Sequence, residues 1–286
     1  MIPLFPQTAE LSLAMRNILH PLFQQLTEGI SEFTFANLYL FRKDHHYRIT
    51  RLADELIIFT GRDLDKSFFI SPFGLPAENT LETLFHNFNS MKCVSQSRAE
   101  ELSQSGFTVA EDRNNFDYLY LRKDLAELTG RKFSKKRNQI KAFINNYTYE
   151  GEPLLEKHKK DALIVLETWR DDRDEPGDYT AAREALEYME ELQLCGGIYY
   201  TGGKPVAYSL GEEVMKGESF VIHFEKAVKG YKGLWQFVNQ TFASILPDKY
   251  TYINREQDLG TDGLRSAKLS YQPVDFIKKY RAWLPS

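Results

Sequence analysis

Tyr252-Ile253-Asn254-Arg255-Glu256-Gln257-Asp258-Leu259-Gly260-Thr261-Asp262-Gly263-Leu264-Arg265-Ser266-Ala267-Lys268-Leu269-Ser270-Tyr271 is the stretch around which this chain is read. Thr251, Tyr252 and Ile253 favour a strand. Gly260 suits a tight loop, and Thr261 or Asp262 can cap a helix that follows. Ligands gather where strands of such sheets end and helices begin. Acids, bases, a Gln, an Asn and Tyr271 crowd this junction. A connector needs fewer hydrogen-bonding groups than that. The junction therefore reads as a pocket floor, with a solvated loop of internal salt bridges as the plainer alternative.

Composition narrows the setting. The chain has 286 residues, 42% hydrophobic and 27% charged, as in an ordinary globular protein with room for two domains. A net charge of −4 argues against a general nucleic-acid binder and leaves room for one local basic site. Cys93 and Cys195 lie far apart and form no metal-ligand spacing, so neither a disulfide framework nor a metal site is expected. No apolar run is long enough to span a membrane, and the first residues do not pattern as a signal peptide. A cytoplasmic protein is expected.

Patterning divides the chain near Glu150-Gly151-Glu152-Pro153. Before that point the order reads helix, several strands, helix, strand, helix, strand, with Phe33 to Phe41 among the strands. After it the order reads two helices, three strands, helix, strand, helix, strand. The strand pair around Thr201-Gly202-Gly203-Lys204-Pro205 is a hairpin. The first half looks like a degraded version of the second, so two similar mixed units are expected, 1–150 and 151–286. The first unit ends in a dense basic run: Arg131, Lys132, Lys135, Lys136, Arg137 and Lys141. On a helix capped by Ser134, Lys136 and Arg137 share the face of Ile140 and Ile144, so they should point toward a cleft, while Lys135 and Lys141 suit an open face.

This element order, with a Gly-bearing loop before the helix that follows a central strand, resembles the acyltransferase fold of the GNAT superfamily. Two longer motifs resemble the signature of the DUF2156 family. One is Asp117-Tyr118-Leu119-Tyr120 with Leu125 and the run Leu128 to Asn138; the other is Asn254 to Gly260 with Leu264-Arg265 and Lys268 to Tyr271. That family is similar to the soluble C-terminal domain of phosphatidylglycerol lysyltransferases, and the resemblance covers nearly the whole chain. It implies an α+β fold of two tandem GNAT-like domains, each a mostly antiparallel mixed sheet flanked by helices. It also implies kinship with Fem-type transferases, which move an aminoacyl group from charged tRNA to an acceptor, here a lipid head group or a peptide, with no cofactor required. Acyl-CoA is the alternative donor. The turn Val228-Lys229-Gly230-Tyr231-Lys232-Gly233 departs from the Q/R-x-x-G-x-G/A pattern of CoA enzymes in either register. Lys229 and Lys232 beside a helix start can still hold phosphate.

Aminoacyl transfer needs a base for the attacking group and donors for the oxyanion. Glu256 or Asp258 can serve as base or hold an acceptor ammonium. Arg255 and Lys268 can stabilise the oxyanion or hold phosphate. Tyr271 can donate a proton. His223 and Glu225 stand two apart on a strand and are expected on one face of a cleft. Lys135, Lys136 and Arg137 can take phosphates of tRNA or of a phosphorylated acceptor. A non-catalytic binding module on the same fold is the other class of reading.

Overall fold

Two seven-stranded sheets are built to one plan. In the computed structural model, which describes residues 1–175 and 177–285, the chain begins with β1 (Ala9–Glu10), α1 (Arg16–Phe23) and α2 (Phe35–Leu40). It continues through β2 (Arg48–Arg51), β3 (Ile57–Asp63), β4 (Lys66–Ile70), α3 (Glu78–Asn87), β5 (Ser90–Val94), α4 (Gln96–Gln104) and β6 (Thr108–Glu111). Next come β7 (Asp117–Leu121), α5 (Arg122–Glu127) and α6 (Ser134–Asn146). Then follow β8 (Tyr149–Pro153), α7 (Lys159–Asp171), α8 (Tyr179–Glu187), β9 (Cys195–Thr201), β10 (Lys204–Val214) and β11 (Ser219–Ala227). The last elements are α9 (Leu234–Ile245), β12 (Tyr252–Asn254), α10 (Asp262–Leu269), β13 (Asp275–Ile277) and β14 (Tyr280–Trp283).

The strand orders are β1-β2-β3-β4-β5-β14-β6 and, read backwards, β8-β9-β10-β11-β12-β7-β13. They match place for place. Each has one parallel strand pair, β4 with β5 and β11 with β12, among antiparallel ones. The sixth place in each sheet is filled by exchange. β7 joins the later sheet, and β14 returns to the earlier one. The degraded repeat expected from patterning is thus a repeat of topology. The change of sheet follows β6, so the expected division at residue 150 does not coincide with it and falls within β8.

Layering follows from which side chains are apolar. Ile58, Phe69, Met91 and Val94 pack under α3 and α4. The opposite face of that sheet, with Ile49, Phe59 and Phe68, meets Leu38, Leu166, Leu186, Tyr208 and Phe224 in a core shared by both sheets and α1, α2, α7 and α8. Tyr120, Phe220 and Ile253 pack outward under α5, α6 and α9. This shared core corrects one expectation. Phe33 to Phe41 is not a strand, because α2 is buried on every side and Thr34 caps it, accepting from the Asn37 N–H at 3.0 Å. Packing overrides strand propensity there.

α6 and α9 touch through a glycine. Gly233 caps α9 at φ +86°, and a Cβ on it would sit 2.0 Å from the Gln139 carbonyl oxygen of α6. Gly230, at φ +95°, faces open space. Gly230→Ala should cost about 1 kcal/mol from the backbone alone, whereas Gly233→Ala should cost about 3 kcal/mol because the helices must also part. Denaturant midpoints of the two variants check this.

Candidate active site

The two sheets differ where the plan would make them alike. In the earlier sheet a single residue, Ser95, separates β5 from α4. In the later one, residues 255–261 separate β12 from α10. β11 runs on to Ala227, yet its last partner on β12 pairs at Val221 with Asn254. Past that point the parallel strands diverge, and the loop fills the wedge. Alternation along β12 sends Ile253 and Arg255 toward α6 and α9, and Asn254 and Glu256 toward the shared core. The polar residues expected in one pocket therefore form two centres on opposite faces of the sheet.

The outer centre is built on Arg255. Its guanidinium donates to Glu225 at 3.2 Å and, with the Asn239 amide oxygen turned toward it, to Asn239 at 2.8 and 3.1 Å. The rings of Tyr120 and Tyr271 flank it at 5.9 and 5.1 Å. The second oxygen of Glu225, Oε2, is buried and has no partner among the described residues. Burial raises the Tyr271 phenol to about 12 although Arg255 pulls the other way, so the hydroxyl stays protonated at neutral pH. Lys136 of α6 lies 3.8 Å over the Tyr271 ring and donates to Ser270 at 2.7 Å. Burial, then Arg255, then Lys135 lower this ammonium to about 8.

The inner centre is a chain of charges. His223 donates through Nδ1 to Glu256 at 2.7 Å and through Nε2 to Glu212 at 3.0 Å, with no exposed side-chain surface. Asn37 of α2 reaches the same Glu256 oxygen at 3.4 Å. Burial opposes the imidazolium, but the two carboxylates outweigh it and raise the ring to about 10. A ring that stays charged and doubly hydrogen-bonded is no base at neutral pH. The face expected to be common to His223 and Glu225 does not form. The register of β11 against β10 shifts between Leu210 and Gly211, leaving His223 as an extra, bulged residue that reverses the alternation.

Two predicted catalytic groups are anchors. Lys268 donates to the carbonyls of Arg255, of Glu256 at 3.0 Å and of Gln257 at 2.6 Å, so all three of its protons are engaged. Burial, then Arg255, lower it to about 8, and it remains an ammonium at neutral pH. It holds a loop in which Glu256 and Leu259 have positive φ. Asp258 is fully buried and accepts from Tyr118 at 2.6 Å, twice from Arg265 at 2.9 Å, and from Arg113 at 3.2 Å. Against burial, these bonds hold its carboxyl far below the usual range. It is a clamp, with no lone pair left for a substrate proton.

A third network ties the loop to the rest of the molecule. Lys279, just before β14, pairs at 2.7 Å with Asp117, the first residue of β7, and also with Glu32. Asp117 further accepts from the Ser31 N–H at 2.8 Å and from Asn254 at 3.2 Å, and Gln257 donates to Glu32 at 3.0 Å. Burial raises the Asp117 carboxyl to about 6 although Lys279 opposes it. Sequence reasoning missed Glu212, Asn239, Lys279 and Arg113. Tyr118 and Tyr120 sat inside a quoted motif, which was the available signal.

The basic groups divide in the same way. Arg137 is half-buried and spent on the Leu128 and Gly130 carbonyls. Lys229 donates to the Asp172 carbonyl at 2.7 Å. Lys135 and Lys232 are exposed. Gly233 and Tyr231 lay the 229–233 turn along α6, with Tyr231 5.1 Å from the Tyr147 ring. The two basic segments thus meet along one helix that leads to Lys136 and Arg255. A groove of about 470 Å³ lies elsewhere, beside α4, lined by Gln96, Ser103, Val109 and Tyr280, and holds none of the candidate residues. Among the described residues there is no group of three or more possible metal ligands, and no helix is long and apolar enough to cross a membrane.

Two mixed sheets flanked by helices, with an opened parallel pair and a polar loop at its mouth, define an α+β protein. The model of the family described as phosphatidylglycerol lysyltransferase, C-terminal, matches residues 23–283, and the chain belongs to that family. It is similar to the solved structure of a protein of unknown function from Bacteroides thetaiotaomicron, at 32% identity over 100% of both chains and a TM-score of 0.88. It is also similar to the C-terminal DUF2156 domain from Agrobacterium fabrum, at 12% identity over 96% of this chain and 92% of that one, with a TM-score of 0.66. An uncharacterized protein of Mycoplasmoides gallisepticum is 27% identical over 184 residues, a match that spans 60% of this chain and only 56% of that protein.

The charged His223 has a consequence for stability. Its folded value, about 10, exceeds the ordinary 6.5, so its contribution is complete below pH 6.5 and is lost as pH rises toward 10. Unfolding free energy should therefore fall across that window. His223→Asn should lower stability near pH 6 and flatten the fall, as measured by denaturant titrations of both proteins at several pH values.

Proposed function

We propose that this chain transfers an aminoacyl group from charged tRNA to an amine or hydroxyl acceptor, a lipid head group or a peptide, at the Arg255 centre. One observation carries the reading. Of two sheets with one plan, the later one has its parallel pair opened by a long loop, and the wedge brings Arg255, Tyr271, Lys136 and the free oxygen of Glu225 together. Attack on an ester puts negative charge on the carbonyl oxygen, and a guanidinium already fixed by Glu225 and Asn239 meets that charge without reorganising. The attacking N–H or O–H gives its proton to Glu225 Oε2 as the new bond to the carbonyl carbon forms. The ester C–O bond then breaks, and the Tyr271 hydroxyl protonates the leaving ribose oxygen. Lys135, Lys136 and Lys232 line the path for tRNA phosphates. In this reading Glu256, Asp258, Lys268 and His223 shape the loop and do not touch reacting atoms.

The two matching sheets are read as tandem acyltransferase units, with 1–150 and 151–286 supplying their bulk and β7 and β14 exchanged between them. The Val228–Gly233 turn gives acyl-CoA little support, since Gly233 is occupied by α6 and Lys229 by Asp172. The test is transfer of labelled amino acid from charged tRNA to a lipid or peptide fraction. Arg255→Ala should lower kcat about 100-fold or more. Tyr271→Phe and Glu225→Gln should each lower it at least about tenfold. Glu256→Gln should retain transfer. Full activity in both Arg255→Ala and Glu225→Gln would overturn the assignment. No transfer, together with thermal stabilisation by acetyl-CoA, would favour the alternative donor.

A further inference from the structure

Among the described residues each sheet has two edge strands, and three of the four are guarded. β1 is two residues long. β8 carries Glu150 and Glu152 and closes on Pro153. β13 is three residues long, and the Asp275 carboxylate takes the Phe276 N–H at 2.7 Å. Short strands, charges and proline keep a sheet edge from pairing further. β6, Thr108-Val109-Ala110-Glu111, has neither proline nor lysine and opens on two β-branched residues.

The free side of β6 follows from its ladder. The Asp112 N–H donates to the Lys279 carbonyl at 2.8 Å, and the register runs on through Glu111 with Tyr280, Ala110 with Arg281 and Val109 with Ala282. Bonds of an antiparallel pair alternate, so Asp112 and Ala110 face β14, while the N–H and C=O of Val109 and Glu111 face outward. The side chains of Val109 and Glu111 share the sheet face on which Val109 packs into the core under α3 and α4. Between them and Gln96, Glu100 and Ser103 of α4 runs the groove of about 470 Å³. It holds two carboxylates. Gln96 donates to Glu100 at 3.3 Å, and Lys278 reaches Glu111 at 3.5 Å, with both side chains of that pair about half exposed. Two acids against one lysine leave the groove negative.

We propose that β6 takes up an extended, basic peptide segment of a partner protein as an eighth strand, its backbone paired with Val109 and Glu111 and its alternate Lys or Arg side chains lying in the α4 groove against Glu100 and Glu111. An edge strand beside a helix gives such a segment affinity through the main chain and selectivity through every second side chain. Other occupants fit less well. Nucleic acid meets these carboxylates with like charge. A second copy, paired antiparallel about Ala110, would place both α4 helices on one face of the joined sheet and set Glu100 and Glu111 of one copy against those of the other. The groove holds no residue of the Arg255 centre, so this docking does not rest on the reading of that centre.

The test is fluorescence anisotropy of three labelled hexapeptides with the whole chain: alternating Lys-Val, alternating Glu-Val and alternating Lys-Pro. The Lys-Val peptide should bind and the Glu-Val peptide should not. The Lys-Pro peptide keeps the charge but lacks half of the backbone donors, and should bind at least about tenfold more weakly. Bound Lys-Val peptide should slow hydrogen exchange at the Val109 and Glu111 amides. Glu111→Pro removes an outward N–H where an edge strand tolerates proline, and should weaken binding at least about tenfold. Glu111→Gln keeps that N–H and removes the charge, and should weaken binding about threefold. Glu100→Lys, on the exposed face of α4, leaves the strand untouched and should also weaken it at least about threefold. Absence of Lys-Val binding by the wild type would overturn the proposal. So would equal binding of the Lys-Val and Lys-Pro peptides, which is attraction of charge alone, or binding unchanged in both Glu111→Pro and Glu100→Lys. Self-association of the wild type that Glu111→Pro abolishes would make a second copy the occupant and overturn it as well.

Discussion

One buried ion pair fastens the two exchanged strands. Asp117 opens β7, Lys279 immediately precedes β14, and the two meet at 2.7 Å with almost no exposed surface. Burying two charges is costly and is offset here by Ser31, Glu32 and Asn254, which complete the hydrogen bonding. Removing one partner from such a pair costs about 3–5 kcal/mol, because the other charge is left bare. The site inherits this constraint. Asn254 and Gln257 belong to the same network, so the mouth of the wedge is held by the contact that holds the halves together.

Given that frame, the specialised unit is the later one. Both sheets carry a parallel pair, but only the later one departs from a one-residue link. Its loop is stiff despite its length. Lys268 gathers three successive carbonyls, Asp258 gathers two arginines and a tyrosine, and Glu256 is pinned by His223. Such anchoring leaves Arg255 and Tyr271 positioned in advance, as the proposed transfer requires.

Much of this was legible in the sequence. Period and turn residues gave the strand-loop-helix unit at 252–271, the hairpin at 201–205 and the doubled order of elements. The basic run on α6 was placed with the half-buried positions of Lys136 and Arg137 correctly separated from the exposed Lys135. What was not legible depends on partners distant in sequence. A bulge at His223 reverses the faces of a strand, and no local pattern announces it. Lys268 and Asp258 look like chemistry because they are charged, yet three carbonyls and a tyrosine with two arginines consume them. α2 reads as a strand until burial on all sides is known. The exchange of β7 and β14 leaves no trace in periodicity at all.

That exchange also sets an order of events. The earlier sheet lacks its sixth strand until residues 280–283 have been made, and β6 cannot pair before then, since β14 is its neighbour in the sheet. A nascent chain therefore cannot complete the earlier unit first and leave it finished while the later one follows. The contacts that close both sheets span most of the chain, so their loop-closure entropy falls late and together. Assembly of the halves is in this sense a single event, and the wedge around Arg255 forms only when it is over.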